Sequence, residues 1–500
     1  MSLDIDKRPV LPPAVAYVGS VFLERVFSFI TVPLMAVFLK PGEYGQYDRA
    51  VSLIDFFAVI TALGLADCVV RFVTTAPDEN AQKRALSELL GVGLAVACAV
   101  GVVSQLVLPY LVAALHIKVG LVAVRCSVAA LSVVALADAS LCWVRFKGRS
   151  DTYFLFVAIR AVALACATIL ALTGGYGVEG IMISNAALLI AISGVTFALV
   201  AHESGLGFSE VRARQLFEYG LPLIGAGLLM FVLGSCNRWF LTDRVSDAEI
   251  GYFGLASRLS MMVAVGFAPF ILWWGPKRIA VLQTAEGAAT TARVWGQGVC
   301  LLILAAAGVS LAGPIFIELF LPKAYAPAEA FMPVTALLQV LATVCVLSNS
   351  SVYARPTGVP ALAVDITGVV GALVGFYVLV PPYGIAGAIA ATALGHGIRM
   401  VLLLGHGYAV SRIPFPLVPA VATVAVAGLI VWAAPAAHGA VIARTIWMAI
   451  AVLLIGRVMW FSGLLQDLPD WHVPAFRVLK IARSWGMAFR ESVARVASRA

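Results

Sequence analysis

Apolar stretches long enough to cross a hydrocarbon layer follow one another along nearly the whole chain. A helix needs about 20 apolar residues to span roughly 30 Å. Runs of that length occur at 15–39, 51–73, 86–115, 120–146, 152–173 and 178–201. A second group lies at 217–241, 250–276, 294–321, 331–354, 361–380 and 385–408, and two more runs follow at 417–434 and 441–464. The runs are continuously apolar rather than alternating, which favours helices over a transmembrane β-barrel. The pattern predicts an all-α polytopic membrane protein with about 14 transmembrane helices. The first run carries Glu24 and Arg25 near its middle and no small-x-small cleavage site, so it is expected to stay in the mature protein.

The polar segments between the runs repeat. Glu43-Tyr44-Gly45-Gln46-Tyr47 precedes the second run and resembles Glu249-Ile250-Gly251-Tyr252-Phe253 before the eighth. Tyr176-Gly177-Val178-Glu179-Gly180 precedes the sixth and resembles Tyr383-Gly384-Ile385-Ala386-Gly387 before the twelfth. The offsets, 43 to 249 and 176 to 383, are 206 and 207 residues. Even-numbered runs match even-numbered runs, so two six-helix lobes are expected to be related by a parallel repeat, with a substrate site between them. The expected organisation is a short N-terminus (1–13), an N-lobe (14–205), a C-lobe (206–410), two further helices (411–465) and a basic tail (466–500). In the tail, Leu479, Ala482, Gly486, Phe489, Val493 and Val496 recur at helical spacing beside Lys480, Arg483 and Arg490. That spacing predicts an amphipathic helix on an anionic leaflet, the alternative being a disordered basic tail.

Composition agrees: of 500 residues, 62% are hydrophobic and 12% charged, which excludes a soluble enzyme. The net charge of +8 is mainly a topology signal. With the N-terminus inside, the cytoplasmic segments hold Lys7, Arg8, Lys83, Arg84, Lys147, Arg149, Arg212, Arg214, Lys277, Arg278, Arg293, Arg355 and Arg412, besides the basic tail. The opposite loops hold little beyond Lys40, Lys118, Arg244 and Lys323. Both termini are thus expected in the cytoplasm, and nucleic acid is not an expected partner. The eight cysteines lie singly in apolar runs and the six histidines form no ligand spacing, so no metal site is expected. Gly175-Tyr176-Gly177-Val178-Glu179-Gly180 formally satisfies GxGxxG but joins two apolar runs, which makes it a tight turn rather than a dinucleotide site.

Charges inside the runs carry the candidate chemistry, because each costs roughly 2.5–3.5 kcal/mol to hold at the bilayer centre without a cavity or a partner. Repeat symmetry brings Arg25, Arg238 and Arg258 toward the interface between lobes. With Arg160 and Arg399, they are candidates to bind an anionic phosphate head, since guanidinium forks match phosphate oxygens. The alternative is structural ion pairing, such as Arg25 with Asp55 or Arg258 with Asp365. Glu24, Asp55 and Asp365 are candidates for coupling to H+ or Na+, counter-ion duty being the alternative. Pro33, Pro222 and Pro269 interrupt helical hydrogen bonding in runs 1, 7 and 8 and are candidate bending points.

Several segments resemble the polysaccharide-flippase (Wzx-type) family: Leu63-Gly64-Leu65 with Arg71-Phe72 and Lys83-Arg84, the block from Pro381 to Thr392, Glu43-Tyr44-Gly45-Gln46-Tyr47, and Tyr219-Gly220-Leu221-Pro222-Leu223. The likeness covers residues 14–410 and lies within the superfamily of multidrug exporters and lipid II flippases. It implies a non-enzymatic, cofactor-free flippase of the bacterial inner membrane with a V-shaped cavity. The implied cargo is a polyprenyl-pyrophosphate-linked oligosaccharide moved from the cytoplasmic to the periplasmic leaflet. Lipid II flippases use cavity arginines on comparable early helices and on the eighth, where Arg25 and Arg258 lie here. By the same resemblance helices 13 and 14 are candidates to form a groove for the lipid tail. A polysaccharide polymerase and a chain-length regulator are candidate partners. The alternatives are an ion-coupled multidrug/toxin antiporter, a lipid II flippase, or a membrane-embedded oligosaccharide polymerase or ligase. The arginine set argues against the drug exporter, and the short loops argue against the enzyme.

Overall fold

A computed structural model describes residues 13–355, 357–434 and 441–461. The expected amphipathic tail helix, and the short N-terminal segment before residue 13, lie outside the described residues. Helices α1 (Pro13–Phe38), α2 (Pro41–Val73), α3 (Glu79–Ala114), α4 (Leu121–Phe146), α5 (Ser150–Thr173) and α6 (Gly177–Ser204) form a first set. The second set is α7 (Glu210–Gly234), α8 (Asp247–Trp274), α9 (Gly287–Phe320), α10 (Lys323–Tyr353) and the run Val359–Ser411. That run of 53 residues is too long for one crossing, at about 80 Å. It turns at Gly384, whose φ of 52° and ψ of −125° are not helical, and its halves are α11 and α12. Then come α13 (Leu417–Trp432) and α14 (Val441–Phe461).

Among the described residues, 11 helices are long and apolar enough to span a membrane, the double run counted once. Large apolar side chains cover the outside: Val418 is 81% exposed and Trp432 84%. Water would not tolerate that surface, whereas hydrocarbon does. The protein is a multi-pass membrane protein.

Glycine decides how the two sets meet. Gly45 on α2 and Gly251 on α8, the equivalent positions of the repeat, face each other across the seam. A Cβ at Gly45 would fall on the Asp247 carbonyl oxygen, and one at Gly251 on that of Pro41. Helix backbones approach this closely only where side chains are absent. Toward its other end α2 breaks at Leu63 and Gly64, both left-handed (φ 51° and 61°). There it packs on α7, where a Cβ at Gly220 would fall on the Leu63 carbonyl oxygen. Arg71 lies over the Tyr219 ring at 4.8 Å, so two of the segments that carry the family resemblance touch one another.

The companion seam, α1 with α8, is closed at one end only. Val32, Met35 and Ala36 join Leu255, Ala256 and Leu259 in one buried cluster at the α1–α2 end. Toward the α2–α3 end Phe22 is 68% and Leu272 67% exposed. The pair α13 and α14 packs on α9 through Ala420, Ala427, Ala451 and Ile455.

The three prolines expected to bend helices all lie inside helices, Pro33 in α1, Pro222 in α7 and Pro269 in α8. The helical runs themselves are interrupted elsewhere: at Leu63–Gly64 in α2, after Gly234 in α7 and at Met261 in α8. The GxGxxG segment is the tight turn expected, with Gly175 (φ 74°) and Gly177 (φ 59°) linking α5 to α6.

Candidate functional site

Two helix breaks build the polar centre. α7 stops at Gly234, and after Ser235 and Cys236 a short turn of helix, Asn237–Phe240, re-aims Arg238 inward. In α8, Arg258 lies in the last turn before the interruption at Met261. Both guanidiniums converge on Asp48 of α2. Arg238 Nε donates to Oδ2 at 3.0 Å and Arg258 Nε to Oδ1 at 3.3 Å. Asp48 is 4% exposed, and Gly254 makes room for it, since a Cβ there would lie 2.6 Å from Oδ2. Arg238 uses Nη1 on the carbonyl of Gly234 and on Asn237 Oδ1. Arg258 commits only Nε and lies over the Tyr47 ring at 5.5 Å. One carboxylate thus holds two guanidiniums, and Asp55 is a second carboxylate lining the cavity that they reach.

The next residue on α2 does different work. A step of about 100° around the helix turns Arg49 toward α8, where Nη2 pairs with Asp247 Oδ1 at 3.0 Å. Lys118 pairs with the other oxygen of Asp247 at 2.8 Å. This latch sits beside the Gly45–Gly251 contact and closes the α1–α2 end.

Two cavities flank this centre. The larger, about 530 Å³, lies between α2 and helices α7, α8, α10 and α12, and is reached by Arg238, Arg258, Arg399, Asp48 and Asp55. The smaller, about 350 Å³, lies within the first set, between α1, α5 and α6, and takes Arg25, Arg160, Glu24 and Asn185. Tyr47 lines the smaller cavity while its ring supports Arg258 of the larger.

The five arginines singled out from sequence therefore do not share one chamber. Arg160 is held by Glu24 and Asp138, each at 3.2 Å. Arg399 Nη2 pairs with Asp365 at 2.8 Å. The two ion pairs suggested from sequence are corrected: Arg258 pairs with Asp48 rather than Asp365, and Asp55 takes the Ser235 hydroxyl at 3.0 Å rather than Arg25. Arg25 has no carboxylate within 4 Å among the described residues and is exposed toward the smaller cavity. Of the coupling candidates, Glu24 and Asp365 serve arginines, whereas Asp55 has no basic side chain within ion-pair distance among the described residues.

Sequence reasoning missed Asp48, Arg49 and Asp247. It started the second run at residue 51 and read the polar segment before it as loop, yet the helix begins ten residues earlier at Pro41. The available signals were Pro41 itself, a favoured first helical residue, and the repeat glycine, which placed this segment on a packed helix.

The fold and its central cavities define a class: a polytopic membrane protein whose two helix sets enclose polar chambers. Within it, residues 13–274 match the family described as "Polysaccharide biosynthesis protein", which covers just over half of the chain. The protein belongs to that family. No curated protein matches the sequence. Among solved structures, lipid II flippase MurJ in an inward closed conformation has a TM-score of 0.72 at 11% identity, covering 90% of this chain and 99% of MurJ. An inward-facing multidrug resistance MATE family transporter of the MOP superfamily has a TM-score of 0.56 at 14% identity, covering 80% and 98%. The MATE multidrug transporter DinF-BH has a TM-score of 0.54 at 15% identity, covering 83% and 99%. The fold is thus one shared by flippases and transporters.

Proposed function

We propose that the protein is a flippase that moves a polyprenyl-pyrophosphate-linked oligosaccharide unit from the cytoplasmic to the periplasmic leaflet by alternating access, for surface-polysaccharide synthesis. The observation that carries this reading is guanidinium left uncommitted inside a membrane bundle. Among the described residues, Arg25 has no carboxylate partner and Arg258 gives only Nε to Asp48, its Nη groups making no hydrogen bond, beside the Tyr47 ring. Forked donors in a low-dielectric chamber suit a pyrophosphate, while the lipid tail stays in hydrocarbon. The α2–α3 end, where the α1–α8 seam is open, faces the cytoplasm in this reading, and the latched α1–α2 end faces the periplasm. Asp55 is the coupling candidate for H+ or Na+, because among the described residues it takes a hydroxyl rather than an ion pair.

A leaflet assay in proteoliposomes with a defined lipid-linked oligosaccharide tests the reading. Arg25→Ala and Arg258→Gln are each expected to slow flipping at least about tenfold, the effect of losing one charge-assisted contact. Wild-type rates in both, at normal protein levels, would overturn it. Asp55→Asn is expected to make the remaining flux indifferent to the ion gradient. A second reading, lipid II as cargo, draws on the likeness to MurJ. Transport of lipid II but not of the oligosaccharide carrier would favour it.

A further inference from the structure

The latched end is tied across the seam by a loop as well as by helices. After α3, residues 115–119 alternate. Leu115, Ile117 and Val119 are buried in the first set's own cluster with Ala50, Leu53 and Phe57. His116 and Lys118 are exposed between them, and both reach across to the second set. His116 Nδ1 lies 2.8 Å from Asp243 Oδ2, in the segment joining α7 to α8, and Lys118 Nζ lies 2.8 Å from Asp247 Oδ2, at the start of α8. α2 holds the loop in place. The Lys118 N–H donates to Gln46 Oε1 at 2.9 Å, and Arg49 Nη1 donates to the His116 carbonyl at 3.3 Å.

The backbone marks the His116–Asp243 pair. Both residues are left-handed, with φ of 47° and 61°. The His116 N–H donates to the Ala113 carbonyl and the Ile117 N–H to that of Val112, each at 3.1 Å, the pattern that ends a helix on a residue that is usually glycine. Two side chains thus stand where the backbone conformation is costly, on opposite sides of the seam, and they meet each other. Three ion pairs join the sets here, Arg49 and Lys118 on Asp247 and His116 on Asp243. Arginine and lysine keep their charge near neutral pH, whereas histidine changes charge between about pH 5 and 8. The other charged groups around the loop are Arg244, next to Asp243, and Glu179 of α6, which accepts the Gly120 N–H at 2.9 Å.

We propose that the His116–Asp243 pair makes closure of this end responsive to pH. In acid the imidazolium attracts the Asp243 carboxylate and adds a further ionic tie between the two sets. As pH rises the cation is lost and the attraction goes with it. The end then opens more readily, held only by the Arg49–Asp247–Lys118 latch and the glycine contact beside it. This goes beyond the flippase reading and does not depend on it, since it concerns the balance between the two helix sets whatever cargo passes between them.

The test uses the full chain in nanodiscs, with nitroxide-bearing non-canonical residues in place of Ala114 on α3 and Ala248 on α8. Distances between the labels are read by pulsed EPR at about pH 5.5 and about pH 8, on either side of histidine's usual titration. In the parent, the ratio of short to long distances is expected to be about threefold larger in acid, the scale of one water-exposed ion pair. His116→Gln and Asp243→Asn are each expected to abolish that response, the second with the imidazole still present. His116→Gly suits the left-handed backbone, so it removes the pair without straining the loop, and it is expected to show the alkaline ratio at both pH values. Thermal unfolding of each variant checks that the fold survives. A parent ratio that does not move with pH, or a response that survives in any of the three variants, would overturn the proposal whatever the leaflet assay gives.

Discussion

Asp48 is a single carboxylate between two guanidiniums, and it is almost fully buried. Burying charge is costly, and removing one member of such a set leaves the others uncompensated. Asp48→Asn is therefore expected to destabilise the protein by about 3–5 kcal/mol, read as a fall in unfolding temperature in detergent. Adding Arg238→Met to Asp48→Asn should recover part of that loss, because one stranded cation is then gone. An unchanged midpoint for Asp48→Asn would show that the triad is not a buried network. The sequence made the arginines conspicuous, since each interrupts an apolar run. It hid Asp48, which sits in a polar segment where a carboxylate attracts no notice.

Between α2 and α8 the decisive residues have no side chains. Gly45 and Gly251 let two backbones touch, and the Arg49–Asp247–Lys118 latch lies beside them. Gly45→Val places branched carbons where the Asp247 carbonyl now sits, so the helices must part. Spin labels at Glu43→Cys and Ala248→Cys are expected to report a longer distance in that variant than in its Gly45 parent. The same separation in both would show that the seam absorbs the added bulk by other means. These glycines were legible as a repeat before they were legible as a contact. The breaks in α7 and α8 were not legible: prolines marked the helices that are interrupted, but the interruptions fall at Gly234 and Met261, where packing and cavity space decide.

Across the whole molecule the two seams between the helix sets differ. α2 packs along the second set at both ends, on α8 and on α7, whereas α1 and α8 form their shared cluster at one end and expose Phe22 and Leu272 toward the other. If that splayed seam must move for transport, a flexible crosslinker joining Phe22→Cys to Leu272→Cys should arrest flipping, and reductive cleavage of the linker should restore it. Continued flipping by the tethered protein would place the moving seam elsewhere.

The sequence by itself determined the solvent and the helical class. Its 62% hydrophobic content calls for lipid, where the backbone must satisfy its own hydrogen bonds. Runs that are continuously apolar rather than alternating do so as helices and not as a closed barrel. It also singled out the two matching segments whose glycines, Gly45 and Gly251, meet in the fold, since close helix contacts need glycine. Only the tertiary structure decided which charge meets which, and that the arginines divide between two cavities. A guanidinium takes whichever carboxylate the fold brings within reach, and Asp48 lies 190 residues from Arg238 and 210 from Arg258 along the chain.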